Sequence, residues 1–255
     1  MTFRYKSNTS TFSFFFIFAL SVVEGLSLTS CKDSTIIPPL TESKVDLQVE
    51  YSLGEKELLD DSIAYANKAG NAFSISRLEY YLSDISVKEN GKWWIPVSEY
   101  QYFDALDQPE NEPLVVPIGS YDSIRFNIGL YPALNKTNAL PPELYNIRMA
   151  WPDAMGGGYH FLKLEGHFLN EKFEAKGYAL HVGTDACLRS VTLPLSFEAT
   201  LAEHSMKLKM DISEWYGGPN VFDLDKGVNY TMGEDSLMNA LADNGVGVFK
   251  EVVFD

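Results

Sequence analysis

Residues 85–95, ISVKENGKWWI, predict a β-hairpin. Ile85 and Val87 lead into Asn90-Gly91, and the apolar run Trp93-Trp94-Ile95 follows. In the tight turns that join paired strands, both central residues need a positive φ angle, which Asn and Gly adopt at low cost. An Asn-Gly pair between two apolar runs therefore indicates two neighbouring antiparallel strands.

Alternation of apolar and polar residues predicts further strands on both sides of the hairpin. In residues 45–51, VDLQVEY, every second residue is apolar, which is the pattern of a strand with one buried face. The same alternation recurs in residues 123–130 and 205–212. Other strands are predicted at residues 159–168, 178–182 and 191–197.

Helical patterns are few. Residues 63–67 predict one short helical turn, and residues 235–244 predict a helix that Gly245 ends. Many short strands with so little helix predict an all-β fold, namely an antiparallel β-sandwich with long loops and one or two short helices.

The beginning of the chain is typical of a lipoprotein export signal. Arg4 and Lys6 form a basic tip, residues 12–23 are mostly apolar, and the box Leu28-Thr29-Ser30-Cys31 follows. In that class a peptidase cuts before the cysteine, whose thiol carries a lipid. An ordinary signal and a membrane anchor are the alternatives, although the apolar run is short for a bilayer.

This interpretation divides the chain into three parts. Residues 1–30 are the predicted signal peptide, and residues 31–44 are a flexible tether after lipidated Cys31, since they offer little apolar surface to bury. Residues 45–255 form one predicted β-sandwich domain. The lipid would anchor the protein to a membrane of a Gram-negative cell envelope, in the periplasm or at the outer membrane.

The charge of the chain argues against nucleic acid as a partner. The formal net charge is −15, from 35 acidic and 20 basic side chains. Residues 1–30 contribute +1 through Arg4, Lys6 and Glu24, so the remainder carries −16. Contacts to phosphate groups require clustered Lys and Arg. A negative surface also keeps an exported protein soluble.

The two cysteines leave no intrachain disulfide if Cys31 is lipidated. Cys187 would then be alone, and free cysteine is usually a buried apolar residue. The fold is therefore expected to depend on its hydrophobic core.

Two histidines with neighbouring Met and Trp residues form the candidate metal site. His160 follows a triple glycine and is expected to share a strand face with Leu162 and Leu164, while His181 lies near the end of another strand. Met149 and Trp151 precede the glycines. Imidazole and thioether groups suit copper. The alternative is that these are ordinary hydrogen-bonded histidines and core residues.

Several segments in order resemble one known family. Residues 78–87, LEYYLSDISV, look like the L-x-Y-Y-L-S-x-I-x-L segment of the MbnP-like (copper-binding protein MbnP-like domain) family of exported bacterial lipoproteins. The later matching segments are Pro117-Ile118-Gly119-Ser120-Tyr121-Asp122-Ser123-Ile124, Phe126-Asn127-Ile128-Gly129, Met149-Ala150-Trp151, Gly158-Tyr159, Lys163-Leu164-Glu165-Gly166 and His181-Val182-Gly183.

The resemblance implies a β-sandwich that holds copper and is not an enzyme. In relatives, a tryptophan that a haem-containing partner protein oxidises to kynurenine joins histidines around the metal. The resemblance thus points to Met149, Trp151 and His181, and the residues add His160. The chain departs from the family in reading Met149-Ala150-Trp151-Pro152-Asp153 where many members have a second tryptophan, and residues 45–70 contain no histidine.

The sequence therefore predicts a lipid-anchored envelope protein that binds or hands over copper. A structural or adhesive surface lipoprotein that binds a protein or glycan without metal is the alternative. No nucleophile elbow, Walker loop, dinucleotide fingerprint or His-Glu-x-x-His signature is present, so no enzyme is predicted. Residues 223–227, DLDKG, resemble half of a calcium loop but are expected to be a turn.

Overall fold

A computed structural model describes residues 41–254 of the chain. Cys31, the predicted signal peptide and the predicted tether up to residue 40 lie outside these described residues. No helix between residues 41 and 254 has the length and apolar character needed to cross a membrane.

The described residues form thirteen strands, two α-helices and four short 3-10 helices. The strands are β1 (Glu42–Leu53), β2 (Lys56–Glu57), β3 (Tyr65–Ala66), β4 (Ala72–Phe73), β5 (Arg77–Glu89), β6 (Trp93–Asp104), β7 (Leu114–Pro117), β8 (Gly119–Ile128), β9 (His160–Leu169), β10 (Ala175–Gly183), β11 (Arg189–Ala199), β12 (His204–Asp211) and β13 (Phe249–Phe254). The helices are α1 (Leu144–Arg148) and α2 (Asp235–Gly245), and the 3-10 helices are Asp153–Met155, Asp185–Cys187, Ile212–Tyr216 and Leu224–Lys226.

The strands form two sheets, and the predicted all-β sandwich is confirmed. One sheet has the order β13-β12-β1-β2, with β7 paired to the start of β1. The other has the order β11-β8-β5-β9-β4-β3, with β10 paired to β9 and β6 paired to β5. One pairing departs from the antiparallel expectation, because β1 runs parallel to β12.

The predicted hairpin is the β5–β6 pair. Asn90 and Gly91 have φ angles of +44° and +74°, as the turn requires. Glu89 lies opposite Trp93, so the loop has three residues and not two. The strand β5 also pairs along its other edge, first with β9 and then with β8.

Three local predictions need correction or completion. The first strand begins at Glu42, inside the predicted tether, because residues 42–45 pair with β7. The predicted helical turn at residues 63–67 is wrong: the segment holds β3, which pairs with β4, and the side chain of Asn67 closes the connection. The helix predicted at residues 235–244 is confirmed as α2, which runs one residue further and includes Gly245. The alternation pattern did not reveal α1.

The inner faces of the two sheets form the core. Tyr80 of β5 and Phe126 of β8 both pack on Phe249 of β13, with ring centroids 6.4 and 4.9 Å apart. The hydroxyl groups of Tyr51 and Tyr80 lie 2.9 Å apart across the sandwich. Cys187 is free and buried, as expected. The opposite, outer face of β5 is covered by α1, where Tyr81 donates a hydrogen bond to Asn146.

Asp211 joins β12 to the 3-10 helix that follows. Its carboxylate accepts hydrogen bonds from the backbone N–H and hydroxyl of Ser213 and from the N–H of Gly54. Burial acts to raise the pKa of Asp211, but these hydrogen bonds hold it below the ordinary value.

We expect Asp211→Ala to lower the free energy of unfolding at pH 7 by about 1 kcal/mol, because a helix cap is lost. A depressed folded pKa contributes stability above the unfolded pKa, and that contribution is lost as the pH falls below it. The gap between wild type and variant in urea denaturation should therefore shrink below pH 3.8. Asp107→Ala in an exposed loop is the control, and a constant gap down to acid pH would contradict the prediction.

Candidate metal centre

The structure brings the predicted residues His160, His181 and Trp151 together. The ring centroids of His160 and His181 lie 5.0 Å apart, with the rings nearly perpendicular at 89°. The ring of Trp151 lies 4.7 Å from that of His160. Met149 is fully buried, and its carbonyl oxygen lies 3.1 Å from Nδ1 of His160. All four predicted residues therefore belong to one small region of the outer face.

A register shift between β9 and β10 puts the two imidazoles on the same face. Val182 lies opposite Leu162, but Gly183 lies opposite His160, so β9 has one extra residue at this point. Alternation along β10 gives Gly183 the face of His181, and His160 joins it there. The expectation that His160 shares a face with Leu162 and Leu164 is wrong, because simple alternation does not count the extra residue.

The loop before β9 folds back on itself and carries Trp151 over His160. The carbonyl of Met149 accepts a hydrogen bond from the backbone N–H of His160 at 2.6 Å, and the N–H of Trp151 donates to the carbonyl of Gly158 at 2.8 Å. Gly158 has a φ angle of +86°, and a Cβ there would lie 2.4 Å from the side-chain oxygen of Asn135. The close backbone approach that the glycines predicted is confirmed.

Trp151 packs in a site that depends on Gly183. Its indole N–H donates to the carbonyl of Met155 at 3.2 Å, and only 3% of the residue is exposed. A Cβ on Gly183 would lie 2.5 Å from the indole ring. The absence of a side chain at Gly183 therefore allows the indole to reach His160.

The hydrogen bonds of His160 fix which ring nitrogen carries the proton. A carbonyl oxygen only accepts, so Nδ1 of His160 must donate to Met149, and Nε2 holds the free lone pair. Burial, together with the nearby Lys163 cation, lowers the pKa of His160 to about 3. The ring is therefore neutral at physiological pH, which is the form that ligates metals.

His181 is fixed in the complementary way by Glu165. Its Nε2 lies 2.8 Å from a carboxylate oxygen of Glu165. The hydrogen bond from His181, helped by the Arg77 cation, lowers the pKa of Glu165 to about 2, so the carboxylate is ionised and can only accept. In the neutral imidazole Nδ1 of His181 then holds the lone pair, and within residues 41–254 this buried nitrogen has no hydrogen-bond partner.

Sequence reasoning missed the charged groups beside the imidazoles. Glu165 accepts two hydrogen bonds from Arg77 at 3.0 Å, and the buried Glu79 lies 3.8 Å from Arg77 and 3.6 Å from Arg148. On the paired strands, Lys163 lies directly opposite His181, and Glu165 is the diagonal neighbour of His181. Alternation in residues 159–168 already put Lys163 and Glu165 on one face, but the pairing of β9 with β10 was needed to add His181.

The other two histidines lie elsewhere. His167 pairs through Nδ1 with Asp61 at 2.9 Å, and His204 packs against Phe197. Within residues 41–254, no group of three or more His, Cys, Asp or Glu side chains is arranged to hold a metal ion. Because His167 and His204 contact other residues, a metal at the centre would take its imidazole ligands from His160 and His181.

The DLDKG segment is a turn, as expected. Asp223 caps the 3-10 helix Leu224–Lys226 by accepting a hydrogen bond from the N–H of Asp225. The carboxylate of Asp225 in turn accepts from the N–H of Glu171. Both acidic side chains therefore have hydrogen-bond partners within the chain.

Comparison with known proteins agrees with the ordered segments described above. The family profile MbnP matches residues 42–238. The chain belongs to the MbnP family. The chain is similar to a solved structure, MbnP from Methylosinus trichosporium, with 15% sequence identity and a TM-score of 0.43. The match covers 72% of this chain and 78% of the Methylosinus chain. No curated protein matches the chain.

The residues present fit the copper that the MbnP resemblance implies. A buried nitrogen without a hydrogen-bond partner normally lowers the stability of the folded state. Nδ1 of His181 is such an atom among the described residues, and a bound metal would give it a partner. The centroid separation of 5.0 Å is short enough for both rings to bind one ion at nitrogen–metal distances of about 2 Å. In each histidine the other nitrogen is held by an oxygen acceptor, as is usual for metal ligands.

We expect Gly183→Ala to displace Trp151, because the new methyl group would overlap the indole ring. Overpacking of this kind costs about 1–3 kcal/mol of unfolding free energy. Gly177→Ala, on the same strand, is the matched control, since a Cβ there meets only one atom, at 4.0 Å. Chemical denaturation measures both variants, and equal stabilities would show that the glycine is not needed for the indole.

Proposed function

We propose that the chain is a lipid-anchored protein of the cell envelope that binds copper and hands it to other proteins. His160 and His181 would hold the metal, with Trp151 against it and Met149 as the hydrogen-bond acceptor for His160 and a predicted thioether ligand. The observation that carries this proposal is the pair of contacting imidazoles, one of which has a buried nitrogen without a hydrogen-bond partner among the described residues. Membership of the MbnP family supports a non-enzymatic role.

The donor set favours copper over the other common metals. Imidazole nitrogen suits copper and zinc, whereas calcium and magnesium require oxygen ligands. Structural zinc is almost always bound by four ligands, and residues 41–254 have no group of three or more His, Cys, Asp or Glu side chains arranged to hold a metal ion. Cu(I) accepts two or three ligands, and thioether sulfur adds to that preference. When bound, the ion would be held by the buried His160 and the partly buried His181.

The four histidines of the chain make a matched test of this site. Replacing both His160 and His181 by Ala should abolish binding of one equivalent of Cu(I), because both nitrogen ligands are lost. Replacing both His167 and His204 by Ala removes the same number of imidazoles elsewhere and should leave binding intact. Competition with a chromophoric Cu(I) chelator measures both.

Equal copper affinities in the two double variants would overturn the site. Absence of copper binding by the wild-type chain would overturn the function and favour a structural or adhesive surface module.

The lipid anchor is proposed from the export signal, and the two cysteines of the chain provide its control. Cys31→Ser should prevent lipid attachment and move the protein from the membrane fraction to the soluble fraction of a Gram-negative host. Cys187→Ser should leave it in the membrane fraction, because Cys187 is a buried thiol of the folded domain. Fractionation with mass spectrometry of the N-terminal peptide measures the outcome. A membrane-bound Cys31 variant would contradict the anchor.

The proposal includes the haem-containing partner that the family resemblance implies. Its target would be Trp151, whose ring packs directly on His160. An oxidised ring at that position would lie beside the metal. Only 3% of Trp151 is exposed, so the surrounding residues cover most of the ring.

A further inference from the structure

We infer that Glu165, anchored by Arg77, is the positioning residue that turns Nδ1 of His181 toward the metal. This inference rests on the proposed copper site. It assigns a role to two residues that the expected ligand set does not include.

The backbone of His181 is held in place, whereas its side chain needs a separate contact to fix it. Thr231 holds the backbone of His181 on both sides: its hydroxyl accepts from the N–H at 2.7 Å and donates to the carbonyl at 2.6 Å. Thr231 itself is fully buried. The backbone is therefore fixed, and the remaining freedom is rotation of the imidazole and the choice of which nitrogen carries the proton.

Glu165 fixes both the rotation of the His181 ring and the nitrogen that carries its proton. An ionised carboxylate accepts and cannot donate, so the ring nitrogen that faces it must be protonated. The contact is at Nε2, 2.8 Å away. Rotating the ring by 180° would break this bond, and so would moving the proton to Nδ1. One hydrogen bond thus selects both the orientation and the tautomer.

The carboxylate of Glu165 is itself held in place by neighbouring charges. Arg77 donates to both oxygens of Glu165 at 3.0 Å and lies 3.8 Å from Glu79. Glu79 is also paired with Arg148, which directly precedes Met149. This series of ion pairs therefore links Glu165, which orients His181, to the segment around Met149. The carbonyl of Met149 orients His160.

A second histidine–carboxylate pair provides the comparison. His167 and Asp61 form the same kind of contact at 2.9 Å on strand β9, but both side chains are nearly half exposed. No ring contact joins His167 to another histidine among the described residues. The pair at His181 differs in its burial and in the imidazole that faces it.

Cu(I) affinity and the tautomer of the metal-free protein test this inference in the full chain. Glu165→Leu removes the acceptor and should weaken Cu(I) binding about 10–100-fold, the usual effect of losing a partner that orients a metal ligand. Glu165→Gln keeps an acceptor without the charge and should lose less. Asp61→Leu and Asp61→Asn are the matched controls at the other pair and should leave the affinity unchanged.

Nitrogen NMR of the histidine rings gives a measurement that needs no metal. Wild type should show His181 protonated on Nε2, and Glu165→Leu should show a mixture of tautomers, with His167 as the internal reference. If Glu165→Leu fails to fold, Glu165→Gln against Asp61→Asn replaces it in both measurements.

The outcomes separate the two proposals. Wild type that binds copper, with a Glu165→Leu variant of equal affinity, overturns the positioning role and leaves the copper site. A proton on Nδ1 of His181 in the metal-free wild type also overturns that role. A wild-type chain that binds no copper overturns both.

Discussion

The structure depends on the way strand β5 shares its two edges. One edge pairs with β6 for most of its length, while the other pairs with β9 over Arg77–Tyr80 and then with β8 over Leu82–Glu89. The strand therefore holds three neighbours in one sheet. Inner residues of β5, such as Tyr80, pack on the second sheet, whereas an outer residue, Tyr81, contacts α1. Because β9 is held by β5, the position of the candidate metal centre follows from this pairing.

The candidate centre combines a rigid sheet with a single local irregularity. The extra residue in β9 at the end of its pairing with β10 moves one imidazole to the face of the other. In each ring one nitrogen is held by an oxygen acceptor, which is the Met149 carbonyl for His160 and the Glu165 carboxylate for His181. Arg77 holds the carboxylate of Glu165 in place, and Trp151 packs on His160. The buried environment keeps His160 neutral.

Some features of the fold could be predicted from particular residues. Asn90-Gly91 indicated the hairpin because both positions need positive φ, and the alternation in residues 205–212 indicated β12. Other features could not. The parallel pairing of β1 with β12 joins strands more than 150 residues apart, and no local pattern carries that information. The error at residues 63–67 has the same origin, because two short strands there are stabilised by pairing with β9 through β4.

The sequence by itself determined the all-β class, the membership of a family and the four candidate residues of the metal site. These follow from local periodicity, turn chemistry and the order of short motifs, all of which are properties of neighbouring residues. Only the tertiary structure determined that His160 and His181 touch, that Glu165 and Arg77 belong beside them, and which nitrogen of each ring is free. The physical reason is that strand register and hydrogen-bond partners are set by contacts between distant segments, and a single extra residue in one strand reverses the face that alternation predicts.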